Sequence, residues 1–299
     1  MKENFLSGFV SIIGSPNVGK STLINAFIGQ KITITSSKPQ TTRTIIQGVL
    51  TREDYQIIFI DTPGIHTPKN KLSEFMVKVA YQAINEVDCI ILMLDASKKS
   101  FKKDIAILDK LAGYNCKIIA AINKVDIADK EDIDKLIDML KGYDFVENII
   151  CTSAVTSQGL SDLEKEIKKH LVKGPQYFPE DMVTDQPERV LCSEFIREAA
   201  IELLQEEVPY GLGVDIDKIQ MRKDGTLYDV WATIYCERDG HKGILIGKNG
   251  SMLKRIGIKA RKEIEWLFGA KVNLQLWVKV NSDWRNKTSA LNMLGYNQE

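Results

Sequence analysis

Eight consecutive residues, Gly14-Ser15-Pro16-Asn17-Val18-Gly19-Lys20-Ser21, have the types and spacing needed to hold a polyphosphate. The pattern is G-x-x-x-x-G-K-S. Its glycines allow a tight backbone turn, and the N–H groups of such a turn converge on an anion at a helix N-terminus. Lys20 would reach the outer phosphates, and Ser21 would supply an oxygen to Mg²⁺. The flanks suit the task. An apolar strand pattern occupies 9–13, and a helical pattern occupies 20–29.

Further candidates follow in order. Asp61-Thr62-Pro63-Gly64 closes an apolar run. Asp61 there could hold Mg²⁺ through water, and the Gly64 N–H could reach a γ-phosphate, with Ile65 completing the turn. Asn123-Lys124-Val125-Asp126 closes another run. A carboxylate at Asp126 accepts from both N1–H and the 2-amino group of guanine. Adenine has an acceptor at N1 and no donor at C2, so it would leave that carboxylate unpaired, a mismatch able to discriminate by about 10⁴. Lys124 would stack on the base, and Asn123 would tie this corner to the phosphate loop. Ser153-Ala154 could offer a backbone N–H to guanine O6. The polar segment 31–44 contains Pro39-Gln40-Thr41-Thr42-Arg43-Thr44 and has the character of a switch loop. Thr42 is the preferred Mg²⁺ ligand there, and Thr41 the alternative.

Chemistry of this kind needs a rigid frame. Strand patterns at 9–13, 45–50, 55–60, 89–95, 117–123 and 149–152 alternate with helical patterns at 20–29, 72–86, 102–112, 130–141 and 160–172. Alternation predicts a mostly parallel sheet with helices on both faces and ligands at the carboxyl ends of the strands. Residues 51–54 leave no room for a crossover helix, so one edge strand should be antiparallel. A Gly/Pro-rich linker spans 174–186, dividing a first domain at 1–173 from a second at 187–299. The second reads as helix 187–207, strands 213–221 and 227–237, a short helix, a longer helix to about 268 and a final strand. On that strand Val272, Leu274, Leu276, Val278 and Val280 share one face.

Formal net charge is zero, but it is unevenly spread. Residues 180–240 hold six Lys/Arg against fifteen Asp/Glu, a net of −9. Residues 241–290 hold eleven against three, a net of +8. The basic stretch predicts a focused polyanion site. At its centre stands Gly247-Lys248-Asn249-Gly250 between helical patterns. A G-x-x-G loop lets backbone close on the phosphates of about four unpaired nucleotides. Lys248, Lys254 and Arg255 would add phosphate contacts, with Lys259, Arg261 and Lys262 beside them. Ile244, Ile246, Leu253 and Ile256 would line or support the groove. Trp277 and Trp284 should pack onto the domain.

Five scattered cysteines and three histidines show no metal-ligand or disulfide spacing. No apolar run approaches the ~20 residues of a membrane span. The protein is expected in the cytoplasm, with peripheral association at the membrane face left open.

The set G-S-P-N-V-G-K-S, Q-T-T-R-T, D-T-P-G, N-K-V-D and T-S-A resembles the translation-factor class of P-loop GTPases. With the second domain, the chain resembles the Era family of bacterial ribosome-assembly GTPases from about residue 5 onward. The resemblance implies an α/β P-loop GTPase domain followed by a smaller α+β KH domain of bacterial type. It implies GTP hydrolysis to GDP with Mg²⁺, and binding of single-stranded RNA, not DNA, near the 3′ end of the 16S rRNA of the 30S subunit. It implies a monomer whose bound GTP orders the switch loops and alters the seating of the domains. Catalytic roles fall on Lys20, Asn17, Thr42 and Gly64. Many GTPases carry a glutamine two residues after the D-x-x-G glycine, but here Ile65 and His66 follow Gly64. Asn17 is therefore read as a ligand for a monovalent cation such as K⁺, with His66 a weaker candidate for the water.

Overall fold

The computed structural model describes residues 4–36, 38, 41–85, 87–114 and 116–296. Pro39 and Gln40 of the switch segment lie outside the described residues. The chain divides into two compact units. One holds Met1–Thr67 and Met76–Asp185; the other holds Pro68–Phe75 and Gln186–Glu299.

In the first unit, β1 (Leu6–Gly14), β3 (Tyr55–Asp61), β4 (Cys89–Asp95), β5 (Lys117–Asn123) and β6 (Val146–Cys151) are parallel. Strand β2 (Ile46–Thr51) pairs antiparallel with β3, giving the order β2-β3-β1-β4-β5-β6. The short β7 (Val172–Lys173) pairs antiparallel with β1. Strand parity sorts the apolar side chains onto two faces. Ile12, Ile91, Met93, Ile119 and Ala121 pack under α1 (Lys20–Ile28) and α5 (Leu160–Lys168). Ile90, Leu92, Leu94, Ile118 and Ile122 pack under α3 (Lys102–Leu111) and α4 (Lys130–Leu140), with Ala80 of α2 (Lys71–Gln82). Burial on both faces is why β4 reads as an unbroken apolar run.

Residues 174–185, most of the linker expected at 174–186, are hydrogen-bonded to the first unit's sheet, at Gln56 of the inner strand β3 and along the edge strand β2. Val49 N–H donates to the Val183 carbonyl at 2.8 Å, and Thr184 Oγ1 donates to the Gln47 carbonyl at 2.7 Å. The buried Gln56 carboxamide accepts from the amides of Tyr177 and Phe178 and donates to the Phe178 carbonyl.

In the second unit, α6 (Glu188–Leu203) stops short of 207, and a 3-10 turn at Val208–Gly211 follows. Strands β8 (Gly213–Met221), β9 (Leu227–Cys236) and β10 (Lys271–Val280) form one sheet, ordered β10-β9-β8. Strand β9 is antiparallel to β8 and parallel to β10. Helices α7 (Asp239–Ile246) and α8 (Ser251–Phe268) precede β10, giving the expected α-β-β-α-α-β order. Trp284 is fully buried and donates to the Gly211 carbonyl at 2.9 Å. Trp277 departs from expectation. It is 45% exposed, because it alternates with the inward Leu276 and Val278 on β10. A final helix, α9 (Thr288–Met293), buries Ala290 and Leu291.

Candidate functional site

The loop 14–21 leaves the carboxyl end of β1 and enters α1. Asn17 at φ 64° and Gly19 at φ 106° make the turn. A Cβ at Gly19 would meet Asn123 Nδ2 at 2.4 Å, so only glycine fits there. Lys20 is buried, and its Nζ donates to the carbonyls of Gly14 and Ser15, each at 3.2 Å. Burial pulls its pKa down to about 8, opposed by the Asp61 carboxylate. The site thus holds a poorly solvated cation already aimed along the loop.

Ser21, Thr42 and Asp61 meet beside it. Ser21 Oγ donates to Asp61 Oδ2 at 2.7 Å and lies 3.0 Å from Thr42 Oγ1. Thr42 Oγ1 is 3.4 Å from the same carboxylate oxygen. Thr41, the alternative, instead donates to the Lys38 carbonyl at 2.8 Å. Asp61 Oδ1 is buried with no hydrogen-bond partner among the described residues, and burial raises the Asp61 pKa to about 6. Two hydroxyls, a carboxylate and an unused carboxylate oxygen in one place fit a hard divalent cation such as Mg²⁺.

The D-T-P-G turn closes on the phosphate loop. Thr62 Oγ1 donates to the Ile12 carbonyl at 2.7 Å. Ile65 N–H donates to the Gly14 carbonyl at 3.2 Å, and a Cβ at Gly64 would stand 2.8 Å from the Pro16 backbone. Pro63 is buried in this turn. His66 Nδ1 shares a 2.7 Å hydrogen bond with the Gly64 carbonyl, folding the ring back onto its own turn.

The base corner forms at the ends of β5 and β6. Asn123 Nδ2 donates to the Val18 carbonyl at 2.8 Å, joining the corner to the phosphate loop. Lys124 sits at φ 66°, and its Nζ donates to Asp95 Oδ2 at 2.7 Å. Val125 N–H donates to the Thr152 carbonyl, and Asp126 is exposed in the turn that follows. Ser153 and Ala154 follow β6 at the same corner. Their amides donate to the Gln158 carbonyl and to Asn123 Oδ1, both at 3.0 Å. A buried N–H must be paired, so these two brace the corner from within.

Two acidic residues here belong to no motif. Asp95 closes β4 on the same sheet edge as Asp61 and Asn123, a position legible once the strands are aligned. Asp104 lies in a charged helix start, and no sequence signal distinguishes it.

In the second unit the G-x-x-G loop joins α7 to α8. Gly247 (φ 71°), Asn249 (φ 52°) and Gly250 (φ 75°) all have positive φ. A Cβ at Gly247 would stand 2.8 Å from Met252. Lys248, Lys254 and Arg255 are exposed. A groove of about 370 Å³ runs beside the loop, lined by Gly250, Leu253, Lys254, Ile258, Arg261 and Leu276 among others. Of the four apolar residues expected at the groove, Leu253 lines it, Ile256 is buried as support, Ile246 is partly buried outside the lining, and Ile244 is half exposed. Ile258 takes the lining position instead. Lys259 is engaged with Glu202. No described helix is long and apolar enough to cross a membrane.

Known proteins share this arrangement. The 50S ribosome-binding GTPase family matches residues 9–124, and the KH domain family matches 207–285. GTPase Era of Clostridioides difficile strain 630 is 51% identical over 298 residues, spanning 99% of this chain and 100% of that protein. A crystal structure of Era in complex with MgGDPNP and nucleotides 1506–1542 of 16S ribosomal RNA superposes with a TM-score of 0.94. That match is 40% identical and covers 98% of this chain and 99% of the other. An Aquifex aeolicus Era variant bound to GDP·AlF4⁻ gives the same score and identity, covering 98% and 100%. With sequence and fold in agreement over nearly its whole length, the chain belongs to the Era family of GTPases.

Proposed function

We propose that this GTPase is a nucleotide-driven switch that binds single-stranded RNA at the 3′ end of 16S rRNA while the 30S subunit matures. The observation that carries the reading is the pairing of a braced guanine-nucleotide site with a basic-rimmed apolar groove beside a G-x-x-G loop. The Era relative held with 16S nucleotides 1506–1542 supports the choice of RNA.

The residues divide the work. Lys20 carries positive charge to the outer phosphate oxygens, where water is excluded and charge counts most. The Gly64 and Ile65 backbone lies against the phosphate loop and can sense a γ-phosphate. Ser21, Thr42 and Asp61 would hold Mg²⁺, which neutralises phosphate charge when bound. Thr42 lies on the switch segment, so its grip is available only with that segment closed. Asp126 selects the base and Lys124 covers it, held by Asp95.

Catalysis lacks a glutamine to orient water, and the His66 ring is turned onto Gly64. Asn17 stands at the left-handed tip of the loop, beside where the phosphates lie. A K⁺ ion bound there would supply the charge of an arginine finger. Turnover is then expected to be about tenfold faster or more in potassium than in sodium buffer. Equal rates would remove this role from Asn17.

For RNA, backbone and lysines grip phosphates while Leu253, Ile258 and Leu276 receive bases. The test is binding of the full chain, loaded with GDPNP, to a single-stranded RNA of the 16S 3′ end. Asn249→Asp places a negative charge among the phosphates and should weaken binding at least about tenfold. GTP turnover in the absence of RNA should be untouched. Equal affinity for the variant, or for DNA of the same sequence, would sink the reading. The same reading describes a monomer working in the cytoplasm, where it can also associate peripherally with the membrane face.

A further inference from the structure

The phosphate loop is braced at two points. At its C-terminal half, Asn123 donates to the Val18 carbonyl. At its N-terminal half the brace is a carboxylate outside every motif. Asp104 stands in the first turn of α3 and accepts a 2.7 Å hydrogen bond from Ser15 Oγ. Asp104 is 2% exposed and Ser15 1% exposed, so water cannot replace this bond. The Ser15 carbonyl also accepts from Lys20 Nζ. One residue thus meets a carboxylate through its side chain and the phosphate-binding ammonium through its backbone. The next residue, Pro16, lies against Gly64 on another side. Ser15-Pro16 is gripped between α3 and the D-T-P-G turn.

We propose that Asp104 is a positioning residue for phosphate binding: it holds Ser15, and through Ser15 keeps the loop and Lys20 aligned with the nucleotide. A buried carboxylate near an anion site repels the ligand, so its presence needs a compensating gain. The Ser15 hydroxyl and the Lys20 ammonium stand on its loop side, and alignment of the cation is that gain. Freed from α3, Ser15 could swing outward and take with it one of the two carbonyls that hold Lys20. The assignment rests on loop 14–21 being the nucleotide site, which GDP binding by the wild type checks separately.

The experiment uses the full chain. GDP dissociation constants and steady-state kcat and KM for GTP are measured for the wild type, Ser15→Ala, Asp104→Ala, the double variant and Asp104→Asn. Each alanine variant should raise the GDP Kd and the GTP KM about tenfold, with kcat within about threefold. The double variant should be no worse than the poorer single, because both remove the same bond. Asp104→Asn keeps an acceptor for Ser15 Oγ and should recover most of the loss. Additive losses, an asparagine variant as poor as the alanine one, or a fall in kcat with KM unchanged would overturn the proposal. Should Asp104→Ala fail to fold, Ser15→Ala and Asp104→Asn decide it alone: the first must raise KM and the second must not. A wild type unable to bind GDP would instead remove the nucleotide reading beneath it.

Discussion

Lys20→Ala should lower kcat/KM for GTP by at least about 10³-fold. The side chain is buried, and desolvation has already pulled its pKa down to about 8. Its present acceptors are two carbonyls at 3.2 Å, a weak match for a full charge. Phosphate oxygens are a far better one. Charge-assisted hydrogen bonds are worth about 1.5–3 kcal/mol each, and charge building on the γ-phosphate in the transition state adds to that. Together these exceed the ~4 kcal/mol that a thousandfold requires. Lys20→Arg should fail nearly as badly, because a planar guanidinium cannot enter a slot shaped for an ammonium. The thermal midpoint of the nucleotide-free protein should not drop with Lys20→Ala, since the change removes a costly buried cation. Turnover within tenfold of wild type for either variant would contradict the assigned role.

Asp126→Asn should weaken GTP binding by about 10³-fold or more and transfer preference to xanthosine triphosphate. In the proposed site the carboxylate would accept two hydrogen bonds from the guanine edge. A carboxamide can accept one and must present an N–H to the other donor. Xanthine carries an oxygen at C2 in place of the amino group, so the same carboxamide then pairs at both positions. Asp126 is exposed and lies two residues beyond Lys124, whose Nζ is bonded to Asp95, so the substitution should not disturb the corner's folding. Competition among GTP, XTP and ATP at equilibrium reads the result. Wild type binding ATP as well as GTP, or a variant that gains nothing for XTP, would refute it.

Much of the first unit was legible because strand parity and motif spacing act locally. The burial of β4 and β5 on both faces shows in their composition, and Asp61 and Asn123 end strands as their motifs require. The meeting of Ser21, Thr42 and Asp61 was readable as chemistry, though not as distances. Three things were hidden. Asp104 sits 89 residues from its partner Ser15, a pairing that exists only through the placement of α3. Trp277 is a different case. The alternation that sends Val272 to Val280 inward also sends Trp277 outward, and on this strand parity outranks aromatic character. At the groove, Ile258 stands where Ile244 was expected because the lining comes from α8 and β10 with none from α7, a placement no linear pattern contains.

The segment laid against β2 has a practical corollary. The nucleotide motifs end at Ala154 and the last helix of that unit at Lys168, so a truncation after 173 looks natural on paper. It would strip residues 174–185 from Val49, Gln47 and Gln56, and leave an open strand edge with vacant backbone donors and acceptors. Such a rim recruits other chains. A stand-alone catalytic fragment therefore needs its C-terminus at Asp185, and the dozen residues that look like a tether serve as the hem of the sheet.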